Sequence, residues 1–176
     1  MFVAVWPDGL TLERLSGLEL EPAQGLRLVE PGEWHVTLRF LGEVGADRVP
    51  DLVGALRTAA KELPDSIHCR VGPATAWPGG DRVLQIPVSG LDEVAAAVED
   101  ATRPIVPDGG GGKPRFIGHL TVARSKRRRP AASERACLGG IPFASSFEVG
   151  FFDLVVSQRS PERPRYVTVE SMSLRE

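Results

Sequence analysis

Seven short segments of the chain are rich in apolar residues and are bounded by Gly, Pro or polar residues, which predicts β-strands. These predicted strands cover residues 2–6, 34–41, 67–71, 83–88, 116–123, 147–157 and 166–174. Apolar residues three and four positions apart predict helices over 10–20, 48–63, 91–102 and 131–138, and residues 22–33 are predicted to be a loop. Strands and helices thus alternate twice along the chain, and each round contains one copy of a short motif.

The length and the charge of the chain limit what it can bind. With 176 residues it is long enough for one compact domain over 1–176, or for two small lobes that share an interface. The formal net charge is −2, so the whole surface cannot attract nucleic acid by charge alone. An anionic partner would have to bind at a local basic patch, and residues 103–129, with eight basic residues and one acid, form such a patch with a local charge of +7.

The apolar segments and the cysteines lead us to expect a cytoplasmic protein that does not enter membranes. The first ten residues lack the basic start of a signal peptide, and no segment has the roughly 18 consecutive apolar residues of a typical transmembrane helix. Cys69 and Cys137 are far apart in the sequence and have no C-x-x-C spacing. They are expected to be free thiols rather than parts of a disulfide scaffold, a redox pair or a zinc site.

Two segments share the pattern H-x-T followed by an apolar residue, namely His35–Leu38 and His119–Val122. In a strand, residues i and i+2 point to the same face about 6.5 to 7 Å apart, so each histidine would lie beside its threonine. Alternation places the intervening residues, and Phe40 after the first motif, on the opposite, inward face. If the two strands face each other, two imidazoles and two hydroxyls converge on one cleft.

This combination of side chains suits chemistry at a phosphodiester. Hydrolysis needs a base that deprotonates water and an acid that protonates the leaving oxygen; imidazole titrates near neutral pH, so His35 and His119 can divide these roles. The hydroxyls of Thr37 and Thr121 can donate hydrogen bonds to the non-bridging oxygens. Arg124 is the candidate for offsetting the charge of the transition state, although strict alternation puts it on the face opposite His119. It therefore has to lie beyond the strand end or at a β-bulge.

The segments HVTLRFLG and HLTVAR resemble the paired motifs of the 2H phosphoesterase superfamily, and within it the LigT-like RNA 2′,3′-cyclic phosphodiesterases, also known as 2′-5′ RNA ligases. The resemblance extends to the N-terminal FVAVWP, to the helix after the first motif, and to Ser157 and Tyr166. It implies an α+β, bilobal and pseudo-symmetric fold, in which two antiparallel β-sheets flank a central cleft with helices on the outside. It also implies a site that uses neither a metal nor a cofactor.

The resemblance further implies a role for each residue of the two motifs. His119 would activate water and His35 would protonate the leaving 3′ oxygen of a 2′,3′-cyclic phosphate at an RNA end, which gives a 2′-phosphomonoester. The two roles are interchangeable on chemical grounds. Thr37, Thr121 and Arg124 would bind the phosphate. The reverse reaction would join RNA ends through a 2′-5′ bond, and the protein is expected to be a monomer.

Three residues are candidates for further contacts with RNA. Arg39 follows Thr37 by two positions and should share the cleft face by alternation, either as a phosphate contact or as a charge at the rim. Lys126 and Arg127 begin the basic run after Arg124 and could contact RNA phosphates, although such runs are usually solvated loops.

Other uses of these residues stay open at this stage. A metal site would use both histidines, but neither motif has H-x-x-x-H spacing, a nearby cysteine or a carboxylate as third ligand. His68 lacks a threonine two residues later and is expected to be structural or exposed. The run 109–113 is expected to be a flexible loop, because Pro107 and Pro114 stand where a phosphate-binding loop needs Gly and Ser or Thr. The cleft could also take a small cyclic nucleotide, or the protein could capture RNA ends without cleaving them.

Overall fold

The computed structural model describes residues 1–20, 25–78, 82–107, 116–126, 131–158 and 165–174. Within these residues the strands are β1 (Phe2–Val5), β2 (Leu26–Leu28), β3 (Val36–Phe40), β4 (Ile67–Val71), β5 (Val83–Ser89), β6 (His119–Ser125), β7 (Ser145–Val149), β8 (Phe151–Gln158) and β9 (Arg165–Ser173). The helices are α1 (Gly9–Ser16), α2 (Val49–Lys61), α3 (Asp92–Thr102) and α4 (Ala132–Leu138). Short 3-10 turns lie at Pro31–Glu33 and Ala46–Arg48.

Most of the predicted elements are confirmed, with differences of a few residues at their ends. Two of the predicted secondary-structure segments are wrong. The segment 22–33, predicted to be a loop, contains β2, and the single strand predicted over 147–157 is two strands, β7 and β8, separated at Gly150. These two strands lie far apart in the sheet, because β7 forms one edge while β8 lies next to the other edge.

The strands follow one continuous path in the order β7-β4-β5-β6-β3-β1-β8-β9, and β2 pairs with β6. All the pairings along it are antiparallel, which confirms the α+β class. The two halves expected as separate sheets are joined where β3 pairs with β6, at Val36 and Leu120. Both residues are fully buried, and each directly follows a histidine of the paired motif. The junction between the halves therefore lies beside both motifs.

The helices cover the main hydrophobic core. The spacing of Leu52, Leu56, Ala59 and Ala60 gives α2 one buried face. This helix packs against α3 and β9, α3 also packs against β3, and α1 packs against β7. Full burial of a leucine side chain typically stabilises a fold by about 2 kcal/mol. The helices thus hold the sheet in place from one side and leave its other side for the cleft.

Strand β1 is buried on both of its faces. Its two valines face the main core. Phe2 and Ala4 face the opposite side, where they form a separate cluster with Val155, Trp6 and Tyr166. This cluster is rich in aromatic rings and borders the cleft.

Candidate active site

One pocket of about 280 Å³ lies beside the junction of β3 and β6. The histidines and threonines of both motifs line it, together with Arg124. The other lining residues are Met1, Phe2, Phe40, Gly42, Ser157 and Tyr166. The fold therefore brings together the five residues that sequence reasoning proposed for a single phosphate site.

The pairing of Val36 with Leu120 explains how four side chains reach one pocket. Extending this antiparallel register by one residue in each direction sets His35 opposite Thr121 and Thr37 opposite His119. Residues that are directly opposite in such a pair typically have Cβ atoms about 4.5 to 5.5 Å apart and point to the same face. The histidine and the threonine of both motifs line the same pocket.

Both motif strands contain a β-bulge directly after the threonine. In β3 the extra residue is Leu38, which lies between Thr37 and Arg39 in the pairing with β1. In β6 it is Val122, the residue after Thr121, in the pairing with β5. An extra residue reverses the alternation of side chains beyond it, because the face to which a residue points is set by its pairing.

The bulges decide which residues after the threonines face the pocket. The third residue after each threonine lines it, Phe40 in β3 and Arg124 in β6. This resolves the difficulty that alternation raised for Arg124. The prediction that Phe40 faces inward is wrong, since its side chain is 72% exposed.

The prediction that Arg39 shares the cleft face is also wrong, for the same reason. Its side chain is buried, with Nε 2.7 Å from the carboxylate of Glu99. The guanidinium also donates to Thr102 Oγ1 at 2.5 Å and to the carbonyl of Val106 at 2.8 Å. Arg39 joins β3 to α3 and the segment after it, and it is removed from the candidate RNA contacts.

The basic run after Arg124 lies only partly within the described residues. Lys126 is exposed two residues beyond Arg124. Arg127 lies outside the described residues, as does the glycine run at 109–112. The RNA contacts predicted for Lys126 and Arg127 stay predictions.

Each histidine uses the same ring nitrogen to contact the backbone. His35 Nδ1 lies 2.6 Å from the carbonyl oxygen of Glu33, and His119 Nδ1 lies 2.9 Å from that of Ile117. A carbonyl oxygen can only accept, so Nδ1 carries the hydrogen in both contacts. This leaves Nε2 of each ring available to a substrate.

The local sequence fixes the backbone just before each histidine. Ahead of the first, a capping box links Glu30 and Glu33, and Arg27 forms an ion pair with Glu33 at 3.3 Å. Ahead of the second, Gly118 allows β6 to lie close to β5. A Cβ at Gly118 would be 2.5 Å from the carbonyl oxygen of Val88.

The two histidines have different surroundings. The ring of His35 stacks on Phe2, with centroids 4.9 Å apart, and meets the edge of Tyr166 at 5.1 Å and Trp6 at 5.4 Å. Burial is the main cause that lowers the pKa of His35, the charges of Arg124 and His119 lower it further, and the hydrogen bond to Glu33 acts against them. The backbone contact of His119 is exposed to solvent, whereas that of His35 is partly buried.

Sequence reasoning missed a carboxylate that supports the aromatic cluster. Trp6 donates from Nε1 to Asp153 Oδ2 at 2.9 Å, and Asp153 is buried. Asp153 also accepts from Ser171 at 2.5 Å and from Thr168 at 3.2 Å. These bonds hold the indole of Trp6 against His35. The signal for this role in the sequence is a single acid within the apolar run FFDLVV.

Tyr166 is a neutral hydrogen-bonding group at the edge of the pocket. Burial raises the pKa of its phenol, and the negative charge of Glu33 raises it further. The hydroxyl therefore keeps its proton at neutral pH and can donate a hydrogen bond.

Neither a metal cluster nor a membrane span was found in the described ranges. No three His, Cys, Asp or Glu side chains are grouped there so that they could hold a metal ion. No helix among these residues is long and apolar enough to cross a membrane.

Comparison with known proteins identifies the family. A family model described as LigT like Phosphoesterase matches residues 11–72. The RNA 2′,3′-cyclic phosphodiesterase of Archaeoglobus fulgidus is 30% identical over 168 residues, which cover 94% of this chain and 95% of that protein. The chain belongs to the LigT-like phosphoesterase family. A second relative, the RNA 2′,3′-cyclic phosphodiesterase of Thermus thermophilus, is 30% identical over 171 residues, which cover 89% of this chain and 80% of that protein.

Solved structures have the same LigT-like fold. TT0787 of Thermus thermophilus superposes with a TM-score of 0.83 at 25% identity and covers 99% of this chain and 97% of that chain. Escherichia coli LigT complexed with 3′-AMP gives a TM-score of 0.72 at 22% identity, with the same coverage. The resemblance stated from the two motifs is thus confirmed, and membership of this phosphoesterase family makes the protein an enzyme.

Proposed function

We propose that this enzyme hydrolyses the 2′,3′-cyclic phosphate at RNA ends to a 2′-phosphomonoester by acid–base catalysis with His119 and His35. The observation that carries the proposal is that the histidine and threonine of both motifs and Arg124 line one pocket of about 280 Å³. The proposed substrate is supported by the relatives from Archaeoglobus fulgidus and Thermus thermophilus, both of which are named as RNA 2′,3′-cyclic phosphodiesterases.

In this mechanism His119 Nε2 removes a proton from water as the water oxygen attacks phosphorus. The bond from phosphorus to the 3′ oxygen breaks, and His35 donates a proton to that oxygen. The phosphate stays on the 2′ oxygen, and the two histidines end with their protonation states exchanged. General acid–base catalysis of this kind typically contributes about 10²- to 10⁴-fold to the rate.

The different surroundings of the two rings support this division of roles. The backbone contact of His119 is exposed to solvent, which suits the histidine that activates water. His35 lies among Phe2, Trp6 and Tyr166, where burial lowers its pKa. The negative charge of a bound phosphate acts in the opposite direction and favours the protonated ring. His35 would therefore take up its proton when substrate binds, which suits the general acid.

Thr37, Thr121 and Arg124 bind the non-bridging oxygens in this proposal. The hydroxyls lie beside the histidines on the same strands, and both line the pocket. Arg124 makes no ion pair within the part of the chain that the structure describes, so its guanidinium is available to the phosphate. Hydrogen bonds between charged partners are roughly twice as strong as neutral ones.

Aromatic side chains provide a place for the terminal nucleoside. Phe40 lines the pocket and is 72% exposed, so the face of its ring is open to a ligand there. Nucleobases stack on such rings. The base would lie on Phe40 while the phosphate lies between the histidines.

The proposal is tested by incubating the enzyme with oligonucleotides that end in a 2′,3′-cyclic phosphate. EDTA is present in the reaction, so that any activity measured does not depend on a free metal ion. We expect complete conversion to the 2′-phosphate, identified by ³¹P NMR. Recovery of the unchanged cyclic end after long incubation would favour a protein that only binds RNA ends. A cyclic mononucleotide assayed in parallel tests the alternative of a small substrate, and an added 5′-hydroxyl oligonucleotide reports any 2′-5′ joining.

A further inference from the structure

We infer that the protein has a second phosphate-binding site, formed by Arg70, Ser89 and Ser146 with Arg14. Its ligand is a phosphate group, supplied either by the backbone of the bound RNA or by a free phosphate. Binding of an RNA backbone rests on the proposed function, whereas binding of a free phosphate does not.

The register of three neighbouring strands places the polar side chains together. Arg70 in β4 lies opposite Ser146 in β7 on one side and opposite Ser89 in β5 on the other. Directly opposed residues point to the same face, and all three side chains are exposed. A guanidinium thus lies between two hydroxyls in one row across the sheet.

Arg14 closes the site from the side. This residue of α1 donates from Nη1 to the carbonyl of Ala144 at 2.9 Å, which fixes its guanidinium at the start of β7. Together the four residues line a depression of about 500 Å³. Its remaining lining residues are Val71, Gly72, Pro73, Ala144 and Ser145.

The charge of the depression favours an anion. Its lining has two arginines and no acid. The nearest acid along β7 is Glu148, which already accepts hydrogen bonds from His68 and Ser66. Arginine forks and serine hydroxyls are the donors that proteins use for phosphate oxygens.

The second site lies on the same face of the sheet as His119. Pro87 in β5 is directly opposite His119, and Ser89 follows Pro87 by two residues, so the three share a face. Arg70 lies one strand further on, opposite Ser89. Strand spacing and rise per residue put the Cα atoms of Arg70 and His119 roughly 12 Å apart in a flat sheet. This favours the RNA backbone as the source, since one strand could reach both sites.

The first arm of the test measures how turnover depends on substrate length. Substrates are a nucleoside 2′,3′-cyclic phosphate and oligonucleotides of increasing length with the same end. We expect Arg70→Gln to lower kcat/KM about tenfold for the long substrates through KM and to change the mononucleotide less than twofold. The salt dependence for long substrates should weaken by about 0.7 in log–log slope, the value for one phosphate contact on a single strand.

Two variants serve as comparisons. The double variant S89A/S146A keeps the arginine and removes both hydroxyls. It should also lower kcat/KM for the long substrates through KM. Arg57→Gln removes the same charge from an exposed arginine on α2 that pairs with Glu170, and it should behave as the wild type. If Arg70→Gln lowers turnover of all substrates equally, or no more than Arg57→Gln does, the RNA arm is contradicted.

The second arm titrates inorganic phosphate by calorimetry into the wild type and the variants. Free phosphate is identified as the ligand by two results together. The wild type binds one more phosphate per protein than Arg70→Gln and S89A/S146A do, and these variants turn over short and long substrates as the wild type does. If the variants change neither the turnover of long substrates nor the binding of inorganic phosphate, the second site does not exist. If the wild type hydrolyses no cyclic phosphate, the proposed function fails, and the phosphate titration still decides whether the site exists.

Discussion

Phe40 and Arg124 occupy the same position in two copies of one strand motif. The seven residues from His35 and the seven from His119 have the same order of partly buried, buried and exposed side chains, and the exposed residue is the sixth in each. A bulge after the threonine turns both sixth residues into the pocket. One half of the fold thus presents a flat ring and the other a cation, which suits a ligand with a base at one end and a phosphate at the other.

The division of acid and base can be tested with a phosphodiester whose leaving group needs no proton. We expect His35→Ala and His119→Ala each to lower kcat on a 2′,3′-cyclic phosphate by about 10²- to 10⁴-fold. On a 4-nitrophenyl phosphodiester, His35→Ala should recover most of the activity, because nitrophenolate leaves without an acid, while His119→Ala should not. Stopped-flow absorbance measures both.

The matched control for these variants is His68→Ala, which removes an exposed histidine paired with Glu148. It should have wild-type activity on both substrates. If instead only His119→Ala recovers activity on the 4-nitrophenyl phosphodiester, His119 would be the acid and His35 the base.

Arg124 should act mainly on the transition state. Its removal in Arg124→Gln takes away the cation that offsets charge on the non-bridging oxygens, and we expect kcat to fall by about 10²- to 10³-fold, the usual effect of losing one such donor. Arg124→Lys should recover part of this loss, since it restores the charge without the planar fork. Steady-state kinetics with Arg57→Gln as the control provide the test, and an effect on KM alone would contradict it.

Phe40 should act on binding of the nucleoside. Stacking of a base on an aromatic ring is worth about 1 to 3 kcal/mol, so Phe40→Ala should raise KM for a nucleoside 2′,3′-cyclic phosphate about tenfold with little change in kcat. Ribose 2′,3′-cyclic phosphate, which has no base, serves as the control substrate. Equal losses on the two substrates would show that the ring supports the pocket and does not stack a base.

Asp153 should position His35 through Trp6. In Asp153→Asn the amide nitrogen cannot accept, so a buried hydrogen bond is lost at a cost of about 1 to 3 kcal/mol in the free energy of unfolding. We also expect a several-fold lower kcat, with KM unchanged and the pH dependence of kcat shifted. Thr168→Val removes only the 3.2 Å bond to Asp153 and should keep the wild-type pH profile. A loss of stability without a change in that profile would mean a purely structural role.

Burial of His35 should make the fold less stable in acid. The pKa of His35 is lowered in the folded protein from the ordinary histidine value of about 6.5, so the unfolded chain binds this proton more tightly. Stability that is present above about pH 6.5 is therefore lost as the pH falls through the lowered pKa. In His35→Gln the free energy of unfolding should decline less between about pH 7.5 and pH 5. Urea titrations measure this, and parallel curves for the two proteins would contradict it.

The sequence was sufficient for the features that depend on neighbours along the chain. The helical spacing in α2 and α3 follows from local periodicity, and so does the placement of His35 beside Thr37 and of His119 beside Thr121. The two H-x-T motifs also indicated the family, because they combine rare residues at a fixed spacing. Even the need for Arg124 to lie at a bulge or beyond the strand end could be stated from its spacing to His119.

The tertiary structure decided what depends on the pairing partners of each strand. The bulge at Leu38 exists because β1 offers one residue fewer than β3, and it buries Arg39 against Glu99 and exposes Phe40. The grouping of Asp153 with Trp6, and of Arg70 with two serines, joins residues that are distant in sequence. A period of two predicts the face of a side chain only while both strands of a pair advance residue for residue, and that match is set by the fold around them.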